Sequence, residues 1–308
     1  MKFQPVPTPF TRDDGASRGV TSYALKTNPQ YVQIYRNVWI DSTDVGEVPT
    51  PIWAGTNWTR EATRLSGLQL LRPDVVGSLW TAARLFGLPV PRRITDSDLH
   101  VAGRESSSKI NRPGVTLHRH RRIDAVDYFA IPLISVPQLM VEVAPMLYLS
   151  ELVQMGDAAI SKRFTGPTTS VELMRSELGA RKRVRSRKKL QQAISLVRYS
   201  VDSPMETWLR VWIVHQGFPE PQVHPVITCG LKNVVLHPDL GYPDLKLAIE
   251  YEGDHHRTSP GQFAADIERR QLLEAEGWTV LRVSKRTDMD TFGKLLAAYL
   301  PKPRRGSR

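Results

Sequence analysis

Seven acidic or histidine residues fall within the eighteen positions from Asp239 to His256: Asp239, Asp244, Glu250, Glu252, Asp254, His255 and His256. The stretch Leu245 to Tyr251 sets apolar Leu245, Leu247 and Ile249 against Lys246 and Glu250, a period of two that predicts a strand. Residues two apart on a strand share a face, so Glu250 and Glu252 point the same way. Two carboxylates so placed repel unless a cation lies between them, and a hard divalent ion such as Mg²⁺ suits that site. Such an ion activates water and stabilises charge at a scissile phosphate. Asp244 follows Pro243 and reads as a turn residue, and His224 and His237 read as structural. Adjacent side chains do not easily face one site together, so His255 and His256 divide between a chemical role and capping or packing.

The elements around this segment follow from caps and apolar spacing. Ser203-Pro204-Met205-Glu206 is a helix start: a serine cap, a proline in the first turn, and a glutamate three residues after the cap. Glu206 is either a capping-box partner or a carboxylate turned toward the acidic strand. Met205, Leu209, Trp212 and Ile213 continue the helix on one face, and Gly217 stops it. Phe263, Ile267 and Leu273 predict a helix ending before Gly277. Trp278 to Val283 predicts a strand. Phe292, Leu295, Leu296 and Tyr299 predict a last helix, ended by Pro301. Helix, strands, helix, strand, helix is the order of an α/β sandwich with a mixed sheet.

These residues together resemble the PD-(D/E)XK nuclease superfamily, and within it the domains related to the very-short-patch-repair (Vsr) endonucleases. The resemblance covers about residues 203–300. It rests on Pro238-Asp239, on Glu250-Tyr251-Glu252-Gly253 followed by Asp254-His255-His256, and on Asp266-Ile267-Glu268-Arg269-Arg270 running to Gly277-Trp278 and Val283. It implies that Asp239 ligates a metal and that Glu250 is the first acidic position of the motif. Glu252 stands where the pattern has lysine. Vsr relatives also lack that lysine and place histidines nearby, which implies assistance from His255 or His256. The resemblance further implies a metal-side role for Glu206 and an acid partnering the histidine at Asp266. Those relatives carry a structural zinc site; with Cys229 the single cysteine, none is expected here.

The chain has 308 residues, a formal charge of +11 and a pI near 9.9, which favours a polyanionic partner. The charge is uneven: residues 1–170 carry +4, residues 171–200 carry +7, and residues 201–301 carry −4. Seven cations stand within nine positions at Arg181, Lys182, Arg183, Arg185, Arg187, Lys188 and Lys189, followed by Leu190, Ile194 and Val197 at helical spacing. This stretch reads as a solvated linker or as a clamp on a phosphate backbone. No targeting segment stands at the start. The greasy stretch from Phe129 to Leu149 is cut by Pro132, Pro137 and Pro145, so a spanning helix is not expected.

In the first half, Thr11 caps a helix with acids in its first turn, Gly19-Val20-Thr21 turns, and Ser22 to Leu25 begins a second short helix. Tyr31 to Tyr35 and Val38 to Ile40 are strand-like in composition, while their spacing also allows a helix. Two helices then a β segment is the order of a winged helix-turn-helix, or of an ordinary α+β capping region. Asp74 to Phe86 predicts a helix, and Leu99 to Val101 and Val115 to His118 predict strands. The residues Trp80-Thr81-Ala82-Ala83-Arg84-Leu85-Phe86-Gly87-Leu88-Pro89, with Phe10 to Asp14 and Tyr35 to Trp39, resemble antitoxin-like regulators of the AbiEi type over about residues 8–165. That resemblance implies DNA binding and a bacterial, intracellular setting.

The expected fold class is therefore α/β: a restriction-endonuclease-like mixed sheet flanked by helices at 203–301, joined to an α+β region containing a winged helix at 1–170. A basic connector at 171–202 and a basic tail at 302–308 complete the division. The expected function is a cytoplasmic, Mg²⁺- or Mn²⁺-dependent endonuclease on DNA, with RNA an open alternative substrate and no membrane partner. The other reading is a DNA-binding regulator whose nuclease fold has lost its chemistry.

Overall fold

Thr11 starts the first helix by a reciprocal cap. Its hydroxyl accepts from the Asp14 N–H at 3.2 Å, and the Asp14 carboxylate accepts from the Thr11 N–H at 2.9 Å. The computed structural model describes residues 2–43, 45–162, 167–253 and 260–300. Its first elements are β1 (Lys2–Pro7), β2 (Phe10–Thr11), α1 (Arg12–Ser17), α2 (Ala24–Thr27), β3 (Tyr31–Tyr35), β4 (Val38–Asp41) and β5 (Val45–Thr50). β1 pairs with β5, and β4 lies between β2 and β3. Phe10, Leu25 and Trp39 close a small core over this sheet. The expected order of two helices followed by a β segment is therefore present.

The larger core belongs to α3 (Thr56–Leu71), β6 (Val76–Gly77), α4 (Leu79–Phe86), β7 (Leu99–Arg104), β8 (Val115–His120), β9 (Ala125–Tyr128), β10 (Ile131–Ile134), α5 (Val136–Val143), α6 (Leu149–Ile160), α7 (Val171–Ala180) and α8 (Arg187–Leu196). A mixed sheet runs β8-β7-β6-β10-β9. The helix expected over Asp74 to Phe86 begins only at Leu79. Val76 and Gly77 pair instead with β7 and β10, and a Cβ on Gly77 would stand 2.6 Å from Leu133 and 2.8 Å from Leu65. The greasy stretch from Phe129 to Leu149 supplies β10 and α5. Among the described residues no helix is long and apolar enough to cross a membrane.

The basic stretch at 171–202 is not a linker. Val171, Met174 and Leu178 of α7 and Leu190, Ala193 and Ile194 of α8 are buried in this larger core. Apolar residues at helical spacing outweigh the charges around them, because each buried aliphatic side chain contributes about 1.5–3 kcal/mol.

The last elements are α9 (Pro204–His215), β11 (Gln222–Val223), β12 (Ile227–Cys229), β13 (Val234–Leu236), β14 (Leu240–Tyr242), β15 (Leu247–Glu252), α10 (Pro260–Ala275), β16 (Thr279–Ser284) and α11 (Met289–Tyr299). A four-stranded mixed sheet runs β11-β14-β15-β16. β14 and β15 are antiparallel, while β15 and β16 are parallel and joined by α10. The order expected from the sequence is observed, and the whole is of the α/β class. Leu245 is the exception: it lies in a 3₁₀ turn over Pro243–Leu245, half-exposed, and Lys246 turns left-handed at φ 47°, so the strand begins at Leu247. Within the last helix Phe292 and Leu296 are buried, while Leu295 and Tyr299 face outward.

Helix α9 serves both cores. Leu209 and Ile213 pack with β14, β15 and α11, whereas Val211 joins the larger core. Between them Arg210 is 0% exposed. Its guanidinium donates to Asp157 of α6, to Glu220 and to the Leu196 carbonyl, each at 2.8 Å. The Asp157 carboxylate also accepts from the Thr207 hydroxyl at 2.8 Å and the Arg198 N–H at 2.7 Å. Removing one partner of such a pair strands the other charge without water. Arg210→Ala is expected to destabilise the protein by about 3–5 kcal/mol in urea denaturation. The double variant Asp157→Asn/Arg210→Met is expected to recover part of that loss. A cost for Arg210→Ala under about 1 kcal/mol, the range of exposed pairs, would show that the two cores do not lean on this pair.

Candidate active site

Glu206 is placed by its cap. The Ser203 hydroxyl accepts from the Glu206 N–H at 3.2 Å, and the Glu206 carboxylate turns back to accept from the Asp202 N–H at 3.1 Å. That leaves it buried at the first turn of α9, where the helix dipole favours negative charge. His224 follows β11 and takes the left-handed region at φ 43°, a strained position for a side chain of its size. Its backbone N–H donates to the Asp239 carbonyl at 3.1 Å, which sets His224 opposite Asp239 across β11 and β14. The His224 Nε2 then meets the Glu206 carboxylate at 3.2 Å.

Asp239 stands immediately before β14, and its carboxylate accepts from the Tyr251 N–H at 2.8 Å. Continuing the β14–β15 register one step beyond Leu240↔Ile249 brings Asp239 opposite Glu250. One ligand atom from each of Glu206, His224 and Asp239 lies within 4.8 Å of the others. The sheet and the helix start thus bring together two of the expected carboxylates, with Glu250 next to Asp239. They add a histidine that was expected to be structural.

The electrostatics of the three differ. Burial pushes the Asp239 carboxyl up to about 6, and the charges of Glu206 and Glu250 push the same way. Burial also opposes the Glu206 charge, but hydrogen bonds from His224, Ser203 and Asp202 outweigh it and hold its pKa below the ordinary value. The bond to Glu206 raises the His224 imidazole above its usual range against its partial burial.

Glu250 and Glu252 do share a face, but the cation beside them is an arginine. The β15–β16 register sets Glu250 opposite Arg282, whose Nη1 donates to Glu252 at 2.8 Å and whose Nε lies 4.0 Å from Glu250. Arg269 of α10 donates to Glu250 at 3.1 Å. An ion between Glu250 and Glu252 is therefore not what this arrangement calls for. The parallel strand supplies a guanidinium that the sequence spacing gave no sign of. Asp266 is half-buried on α10, three residues before Arg269 and so on the same face of the helix. Its expected partners His255 and His256, with Asp254, lie outside the described residues. Asp244 is exposed in the 3₁₀ turn, as its proline neighbour implied.

The basic run is split by the fold. Arg181 bonds Glu177 at 2.6 Å, Arg187 bonds the Arg181 carbonyl, and Lys189 bonds the Leu147 carbonyl at 2.6 Å. Lys182, Arg183, Arg185 and Lys188 remain exposed. Four of the seven cations thus stay available to an anion, while three stitch α7 and α8 in place.

No protein-family model matches the chain. It is 28% identical over 244 residues to two proteins of Mycobacterium tuberculosis, Rv2248 of strain H37Rv and MT2308 of strain CDC 1551, over 75% of this chain and 84% of each relative. Both carry the name uncharacterized protein. The crystal structure of the RV2827C protein from the same species aligns over 74% of this chain and 86% of that one, at 12% identity and a TM-score of 0.42. None of these names states a chemistry.

The raised Asp239 pKa has a consequence for stability. Its folded value of about 6 exceeds the ordinary 3.8, so the native state binds the proton more tightly. That contribution is complete below about pH 4 and is lost as pH rises through 6. Asp239→Asn keeps the acceptor for Tyr251 and escapes the loss. In EDTA the variant is expected to match the wild type near pH 4 and to exceed it by about 1–2 kcal/mol at pH 7.5, after discounting about 1.4 kcal/mol per unit for partial exposure. Urea denaturation at the two pH values checks this, and a difference that does not change with pH would show that Asp239 titrates normally.

Proposed function

We propose that this chain is a divalent-metal-dependent endonuclease hydrolysing phosphodiester bonds of DNA, with a PD-(D/E)XK-like domain at its C-terminal end and a winged-helix-like region at its start. The observation that carries the reading is the convergence of Glu206, His224 and Asp239 within 4.8 Å, with Glu250 opposite Asp239. The donor set fits a divalent ion. Two carboxylates and an imidazole meet within 4.8 Å, and among the described residues Asp239 alone of the three has no hydrogen-bonded counter-charge of its own. Asp239, Glu206 and His224 would hold the ion. A bound ion supplies Lewis-acid polarisation of a phosphoryl oxygen and a more acidic water.

The chain's own residues divide the remaining work. Arg269 and Arg282 place two guanidinium groups beside the carboxylates, where phosphate oxygens would approach, and arginine's fork suits them. Glu252, held by Arg282, occupies the position at which the PD-(D/E)XK pattern has lysine, so proton transfer falls to His255 or His256, as the resemblance implies. The two carboxylates among the donors suit Mg²⁺ or Mn²⁺ on ligand type.

The second reading, a DNA-binding regulator with a silent site, draws its support from the same two arginines, which neutralise Glu250 and Glu252 without any metal. Incubating the full chain with single-stranded, duplex and mismatched DNA, with RNA as control, separates the two. Cleavage or nicking is expected with Mg²⁺ or Mn²⁺, and not in EDTA. Asp239→Ala is expected to reduce it on the order of 100-fold or more while the circular dichroism spectrum is unchanged. DNA binding without cleavage under any divalent ion would establish the regulator instead.

A further inference from the structure

Helix α3 carries a row of cations that the site around Asp239 does not use. Its inward face holds Trp58, Ala62, Leu65 and Leu68. Arg60 and Arg64, four residues apart, share a stripe of the helix, and Arg72 is its C-cap residue. Two surface depressions adjoin along this stripe and share Arg64 as a common wall. The first, about 740 Å³, is also lined by Arg36 from the β3–β4 turn, Arg72, Lys109 and Arg112; five of its twelve lining residues are cations and none is acidic. The second, about 1050 Å³, adds Arg60.

The acids along the second depression are already committed. Glu61 is buried and accepts from Thr81 at 3.0 Å and Arg84 at 3.4 Å, and Asp96 pairs with His100 at 3.1 Å. Arg64 donates to the carbonyls of Ser97 and Gly114, at 3.2 and 3.0 Å, which fixes it between the two loops without neutralising it. Arg112 lies over the Tyr35 ring at 5.7 Å. Among the described residues no carboxylate stands within ion-pair distance of Arg36, Arg60, Arg64, Lys109 or Arg112; Arg72 alone is paired, with Asp74 at 2.7 Å. Cations gathered into one trough repel one another in the free protein, and a polyanion relieves that repulsion while releasing its own counterions.

We infer that the trough along α3, bounded by the β3–β4 turn and the loop at 108–113, grips the phosphate backbone of a nucleic acid. This rests on the proposed function for the class of partner, not for the chemistry of cleavage. Length favours a strand over a mononucleotide. Twelve residues of helix from Arg60 to Arg72 span about 18 Å, the axial rise of about five base pairs at 3.4 Å each. The gripping surface is thus distinct from the four exposed cations of the 181–189 stretch.

The test is fluorescence anisotropy of the full chain with a labelled DNA duplex in EDTA, over a series of salt concentrations. Arg36→Ala/Arg60→Ala/Lys109→Ala alters three exposed side chains and is expected to keep the wild-type thermal midpoint. It is expected to bind at least about tenfold more weakly, with the slope of log K against log salt shallower by about 2–3, near 0.9 for each phosphate no longer neutralised. Unchanged affinity and slope would overturn the inference, as would a wild type that binds neither DNA nor RNA. So would complete loss of binding from Lys182→Ala/Arg183→Ala/Arg185→Ala with the trough intact, or displacement of the duplex by micromolar ATP. Cleavage is read separately in Mn²⁺: a protein that binds through the trough and cuts nothing leaves this inference standing and defeats only the nuclease reading.

Discussion

Arg210 brings a full charge into the space between two hydrophobic cores, and the geometry of the site depends on how that charge is met. Moving an unpaired ion from water into such a space costs several kcal/mol even after relaxation. The fold meets it with Asp157 from α6 and Glu220 from the start of the last sheet, together with the Leu196 carbonyl at the end of α8. These partners come from three separate places in the chain. Helix α9 can therefore dock in one position only, with Leu209 and Ile213 on one side and Val211 on the other. Glu206 lies one turn from Arg210 on that same helix, so the pair that fixes α9 also fixes how far the Glu206 carboxylate stands from His224 and Asp239.

With the helix fixed, the site becomes a problem of like charges. Glu206, Asp239, Glu250 and Glu252 all approach one end of the sheet, and the fold answers three of them. Glu206 has the helix N-terminus and His224. Glu250 has Arg269 and Arg282, and Glu252 has Arg282. Among the described residues Asp239 accepts one hydrogen bond, from the Tyr251 N–H, and burial with the charges of Glu206 and Glu250 raises its pKa. The unanswered charge is thus localised on one carboxylate, flanked by two potential donors. The asymmetry matters more than the total charge: a fully paired cluster would be a structural network, whereas one carboxylate left with a raised pKa among near neighbours marks a candidate functional site.

Local chemistry made part of this legible beforehand. The caps at Thr11 and Ser203, the strand carrying Glu250 and Glu252, and the order of elements after residue 203 all follow from short-range rules, and the structure has them. What could not be read depends on partners far along the chain. Gly77 enters a strand because Leu65 and Leu133 leave no room for a Cβ. Leu245 keeps the alternation of its neighbours yet falls in a turn, because Pro243 and the left-handed Lys246 break the backbone first. His224 is flanked by Pro221 and Pro225 with only a two-residue strand before it, so no periodicity pointed to it. Only the β11–β14 pairing makes it a neighbour of Asp239. Arg282 likewise reaches Glu250 and Glu252 through a parallel register with no sequence signature.

The basic character of the chain separates along the same lines. Density of charge in the sequence singled out residues 181–189, but density is not availability. Arg181, Arg187 and Lys189 are consumed by Glu177 and by two backbone carbonyls, and the helices they flank are core elements. Along α3 the cations are sparse in the sequence, spread over Arg36, Arg60, Arg64, Arg72, Lys109 and Arg112, and folding collects them so that, among the described residues, only Arg72 has a carboxylate partner. A phosphate backbone responds to cations left free at a spacing it can span, and to the counterions it sheds there. Helical periodicity and the two loops that meet Arg64 set that spacing. The surface we propose for the polyanion is therefore a product of tertiary structure in the same sense as the cluster around Asp239.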